Sequence, residues 1–192
     1  AGDNALVVRA SAESIRCVTG EPARWLPGKM MTMQFDFKVA VDPVDIVNDR
    51  PVMSVMVGNS LLSEKVSWTV VLEATPGGDW RLSGAMPDAA SKKIYSENFL
   101  IRSDEVVSIS EWHQLVLVIK KRSEPDSFES TVKLINPVSR EVIAELVFTD
   151  INKDKVTKSM WNTTRAHVGF SGRKDQLGLA VIDNLKISVA VE

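Results

Sequence analysis

Twelve consecutive residues of this chain alternate in character: Met31, Met33, Phe35, Phe37, Val39 and Val41 are interleaved with Thr32, Gln34, Asp36, Lys38, Ala40 and Asp42. A period of two places every second side chain on one face, which suits a strand half-buried against a core and not a helix. The same period returns at Val66, Trp68, Val70 and Leu72; Thr75-Pro76-Gly77-Gly78-Asp79 interrupts it with turn residues, and Trp80 and Leu82 resume it. That pattern predicts an antiparallel hairpin. Further strands are expected over 5–9, 52–57, 113–121, 131–135, 142–148, 166–171 and 179–189. A set of this size suits two packed antiparallel sheets, with Phe35, Phe37, Trp68, Leu117 and Ile187 on the inward faces and Trp80 and Trp112 also assigned to the core.

Helical periodicity is scarce. Residues 149–161 read as a short polar helix capped by Asp150 or as a loop, and 87–102, with Asp88, Lys92, Lys93, Tyr95 and Glu97, read as a second long connection. Hydrophobic residues at 44% and charged residues at 25% supply an ordinary globular core, and no interior stretch is depleted of apolar residues as a linker would be, so 1–192 is expected to form one domain. With 23 Lys plus Arg against 25 Asp plus Glu and no long basic run, nothing in the sequence gathers nucleic acid. No apolar run is long enough for membrane insertion. A single cysteine, Cys17, excludes an internal disulfide framework. The opening Ala1-Gly2-Asp3 suggests a processed chain, and the expected setting is secreted, periplasmic or cell-surface.

Ser110-Glu111-Trp112-His113-Gln114-Leu115-Val116-Leu117-Val118-Ile119, followed by strands at 131–135 and 142–146, resembles the "W-H-x-L-x-L-x-I, strand, turn, strand" run of laminin-G-like and related concanavalin A-like domains. Val168-Gly169-Phe170-Ser171 is similar to a strand of legume-type lectins, and Ile182-Asp183-Asn184-Leu185-Lys186-Ile187 to the final strand common in that superfamily. The resemblance covers the C-terminal half and implies an all-β, two-sheet antiparallel β-sandwich of the jelly-roll, concanavalin A-like type. The superfamily includes lectins, adhesion domains and glycan-cleaving enzymes, so the site has to decide.

The paired acidic strand "E-x-D-x-x-E" of the glucanase branch is missing: Glu73 stands by itself, and Asp42, Asp45 and Asp49 fall in a proline-containing loop. With two histidines and one tyrosine, a lyase constellation is thin. No catalytic residue is assigned. For ligand binding, an aromatic ring outside the alternating strands could stack on a sugar while polar neighbours meet its hydroxyls. Trp161 beside Asn162, Thr163, Thr164 and Arg165 ranks first, then Tyr95 between Lys93 and Glu97, then Trp25 near Arg24 and Pro27. His113 shares the inward parity of Leu115 and Leu117, which predicts a hydrogen-bonded core imidazole, whereas His167 is expected to be solvated. Asp183 shares the parity of Leu179, Val181, Leu185, Ile187 and Val189, so an inward carboxylate needs a partner: backbone amides at a strand bulge, or a structural calcium, which the superfamily resemblance also implies, with Asp3 as a companion. The function expected is non-catalytic recognition, with a glycan or a cell-surface protein as partner and no cofactor apart from that calcium. The alternatives are an adhesion module or a glycan-cleaving enzyme.

Overall fold

The computed structural model describes residues 6–9, 15–18, 23–40, 48–59, 66–76, 79–87, 94–101, 110–124, 126–156, 158–172 and 178–191. In chain order the strands are β1 (Leu6–Arg9), β2 (Ile15–Val18), β3 (Ala23–Arg24), β4 (Lys29–Ala40), β5 (Arg50–Gly58), β6 (Trp68–Ala74), β7 (Trp80–Pro87), β8 (Ile94–Ile101), β9 (His113–Ser123), β10 (Asp126–Ile135) and β11 (Val142–Asn152). A 3-10 turn (Lys153–Lys155) and one α-helical turn, α1 (Lys158–Trp161), lead into β12 (Arg165–Gly172) and β13 (Leu179–Val191). One sheet has the order β1-β13-β4-β9-β10-β11; the other is β2-β12-β5-β6-β7-β8, with β3 added to β12. Every pairing between them is antiparallel. The result is a two-sheet antiparallel β-sandwich.

The alternation read from the sequence is the reason the sheets stack. In β4, Met31, Met33, Phe35, Phe37 and Val39 are buried while the residues between them are half-buried. Phe35 meets Phe170 of the opposite sheet edge-on at 5.2 Å, and Trp68 meets Phe148 edge-on at 4.6 Å. Gly84 lies under that second pair, where a Cβ would come within 3.1 Å of both rings. The hairpin after β6 closes with Thr75 N–H donating to the carbonyl of Asp79 at 2.9 Å.

Four expectations need correction. Residues 94–101 are not a connection but strand β8, laid against β7, and 149–161 is neither one helix nor one loop. There β11 continues to Asn152, whose side chain accepts from Asp154 N–H at 2.8 Å and caps the 3-10 turn, so Asn152 and not Asp150 supplies the cap. Of the tryptophans assigned to the core, Trp68 is fully buried and Trp80 packs against the core half-buried, but Trp112 does not join it: it is half-buried, with Lys38 Nζ 5.1 Å from its ring centroid.

The fourth correction concerns β13. Ala180 and Ile182 are its buried residues, so Leu179, Val181 and Asp183 face away from the core. The β13–β4 register shifts between Asp183 and Lys186, and Asn184 adopts a left-handed φ of 53°. This bulge inserts an extra residue and reverses the phase, so that Ile187 and Val189, downstream, pack against the core as partly buried side chains. A single parity therefore fails across the strand.

Candidate functional site

Lys121 organises one end of the sandwich. It continues the inward parity of Leu115, Leu117 and Ile119 and is 1% exposed. Its ammonium donates to the carbonyl of Thr163 at 2.9 Å and lies 5.2 Å from the ring centroids of both Trp25 and Trp161 and 6.0 Å from that of Phe128. Phe128 in turn meets Trp161 edge-on at 5.2 Å. The electron-rich ring faces partly replace the water a cation loses on burial. Desolvation still disfavours the charged form and lowers the Lys121 pKa from 10.5 to about 8.

This cage fixes the segment that follows α1. Trp25 N–H donates to Thr164 O at 2.8 Å, and Asn162 N–H donates back to Lys158 O at 2.9 Å, while Met160 is fully buried beneath. Residues 162–165 are thus held from inside by Lys121 and the β3 end and present their outer side to a hollow of about 490 Å³. Asn162, Thr163, Thr164 and Arg165 form one wall; Asn59, Lys158 and His167 complete it. His167 is half-buried, and its Nδ1 is shielded from solvent with no hydrogen-bond partner among the described residues. Amides, hydroxyls and an imidazole around an open concavity can exchange hydrogen bonds with a polyol.

The polar residues named beside Trp161 therefore do line one hollow, but the aromatic platform expected with them is turned away. Trp161 is half-buried and packs against the core and Lys121. Trp25, also expected to stack on a ligand, is 0% exposed, because β3 delivers it into the lysine cage. Tyr95 lies in β8 opposite Met86, and its side chain is outside the described residues. Two of the three aromatics converge, around an ammonium rather than a ligand. Lys121 is missed by sequence reading although its parity gives the signal.

Asp183 meets its requirement locally. Its Oδ1 accepts from Asn184 N–H at 2.8 Å, and the facing Asp36 accepts from Asn184 Nδ2 at 2.8 Å and Gln114 Nε2 at 3.0 Å. A calcium cage needs six to eight oxygens. Among the described residues no three His, Cys, Asp or Glu converge, and these carboxylates are already engaged by amides, so the arrangement does not fit calcium. Asp3 lies outside the described residues. His113 is buried as expected; its Nδ1 is 3.0 Å from the Glu111 carbonyl oxygen, and burial lowers its pKa despite that hydrogen bond.

The outer face of the second sheet carries Ser54, Val71 and Ser83 in one register row and Met56, Thr69 and Ala85 in the next. No Trp, Tyr or Phe with a described side chain joins these rows. Beside them Arg81 pairs with Asp49 and lies 4.0 Å from Glu73, so Glu73 is not solitary as its sequence context suggests.

The sequence matches no family model and none of the curated proteins. Solved structures are similar throughout its length. An endo-1,3-β-glucanase from Streptomyces sioyaensis superposes with a TM-score of 0.60 at 8% identity, over 100% of this chain and 77% of that one. A legume lectin-like domain from Entamoeba histolytica gives 0.57 at 10%, over 100% and 86%. The fold is a concanavalin A-like jelly roll. Tailspike protein 2 of the Escherichia coli O157:H7 bacteriophage CAB120 contains a similar jelly roll, with a TM-score of 0.59 at 11% identity, covering 96% of this chain; the chain spans 24% of the tailspike's length. The structures that share this jelly roll are thus lectin-like in some cases and glycan-cleaving in others.

Proposed function

We propose that this jelly roll is a non-catalytic glycan-recognition domain of an exported or cell-surface protein. The observation that carries the reading is the hollow walled by Asn59, Asn162, Thr163 and Thr164, whose amides and hydroxyls match the donor and acceptor pattern of sugar hydroxyls. Its backbone is anchored through Lys121 and Trp25, so binding does not have to order a loose loop, and less affinity is lost to conformational entropy. A glycan array with the purified chain tests it. Specific binding lost in Asn162→Ala and Thr164→Ala, with unchanged melting temperature, supports the reading; binding indifferent to both changes contradicts it.

A second reading rests on the Asp49, Arg81 and Glu73 cluster beside the outer face of the second sheet. Hydrolysis needs two carboxyl groups flanking a glycosidic bond, and here a guanidinium lies between the two acids. Turnover of a polysaccharide that disappears in Glu73→Gln would favour this alternative.

A further inference from the structure

A basic strip absent from the linear sequence is assembled at the β3–β12 edge. Arg24 and Arg165 are cross-strand neighbours, directly opposite in the register, and both are exposed. Side chains in such positions share a face with Cβ atoms about 4.5–5.5 Å apart, and like charges placed there repel. Arg165 joins Lys158 and His167 in the wall of the polar hollow; Arg24 joins Lys29 in the wall of a second hollow of about 600 Å³. The two hollows therefore adjoin across the arginine pair. Among the described residues no carboxylate lines either one, and Arg24, Lys29, Lys158 and Arg165 form no ion pair, whereas Arg81, Arg122, Lys133 and Lys153 all do. The whole chain carries a net charge of −2, so this positive patch runs against the overall balance.

We infer that the strip binds an acidic polysaccharide, with a uronate carboxylate or a sulfate ester bridging Arg24 and Arg165 and the neighbouring sugar hydroxyls meeting Asn162 and Thr164. An anion between the two guanidiniums converts their repulsion into two charge-assisted hydrogen bonds. The amides and hydroxyls beside them suit a saccharide. Nucleic acid is the weaker match, because its bases seek exposed rings to stack on, and Trp25 and Trp161 at this edge are turned into the lysine cage. The inference rests on the glycan-recognition reading and narrows it to one chemical class.

Titration calorimetry of the intact chain with oligogalacturonate, dextran sulfate, neutral laminarin and a single-stranded oligonucleotide tests it. Binding is expected for oligogalacturonate or dextran sulfate, and which of the two binds separates the carboxylate source from the sulfate source. It should weaken by at least about tenfold in Arg24→Gln and in Arg165→Gln, and fall with added salt. Lys158→Gln, on an exposed position of α1, should weaken it less and guards against a folding defect in the arginine variants. Acidic saccharides bound equally well by all three variants would overturn the inference, as would an oligonucleotide bound more tightly through the same arginines. Laminarin bound in preference to both acidic polymers would overturn the acidic class and leave glycan recognition standing; no saccharide bound at all would overturn both.

Discussion

Replacing Lys121 with methionine keeps an unbranched side chain of similar length in the cage and removes the charge. At pH 7 two effects oppose each other: the hydrogen bond to Thr163 and the contacts with Trp25 and Trp161 are lost, but so is the cost of keeping an ammonium at 1% exposure. The net change at pH 7 is expected to stay within about 1.5 kcal/mol. The pH dependence discriminates better. The folded-state pKa of about 8 is below the ordinary 10.5, so between these values the unfolded chain binds a proton that the folded chain does not. Stability contributed by this site therefore rises with pH over that window, and the burial cost is fully present below it. From pH 7 to pH 10 the rise amounts to about 2–3 kcal/mol, with a slope of about 1 kcal/mol per pH unit at its steepest. Urea unfolding followed by tryptophan fluorescence at each pH, for wild type and Lys121→Met, cancels every other titration in the difference. The wild type should gain on the variant by about that amount as pH increases. A difference that stays flat would mean that Lys121 is hydrated in the folded state and that the cage is not closed.

Phe37→Ala removes a fully buried ring between the sheets and should cost about 3–5 kcal/mol in chemical unfolding, whereas a loss below about 1 kcal/mol would contradict its placement. Gly84→Ala drives a methyl into the Trp68 and Phe148 rings and should cost about 1–3 kcal/mol by the same assay; a neutral result would show that the rings yield freely. Calcium and chelator should leave the melting temperature unchanged, because amides already engage Asp183 and Asp36; a rise with calcium that vanishes in Asp183→Asn would restore the metal.

The long alternation of β4 is legible because one face is buried over its whole length, so composition and geometry carry the same period. The β6–β7 hairpin is legible for a different reason: Thr75 to Asp79 supply turn chemistry at its only break. Strands β2 and β3 are too short, at four and two residues, to show a period. The bulge at Asp183 defeats parity because one inserted residue reverses the facing of everything after it, and the positive φ of Asn184 is its only local mark. At the site, Asn162 to Arg165 can be picked out as polar residues in a connection, but the direction of Trp161 is set by Phe128 and Lys121 from distant strands. The Arg24–Arg165 pair is invisible along the chain because only the β3–β12 register brings the two together.

Amide chemical-shift mapping of the isotope-labelled chain, titrated with the saccharide that binds it best, tests glycan recognition at the polar hollow most directly. Perturbations should concentrate on Asn59 and on 158–167, with the saccharide recovered intact. Perturbations centred on Glu73, Arg81 and Ser83, accompanied by shortened saccharide in the sample, would contradict it and locate a cleaving site on the outer face of the second sheet.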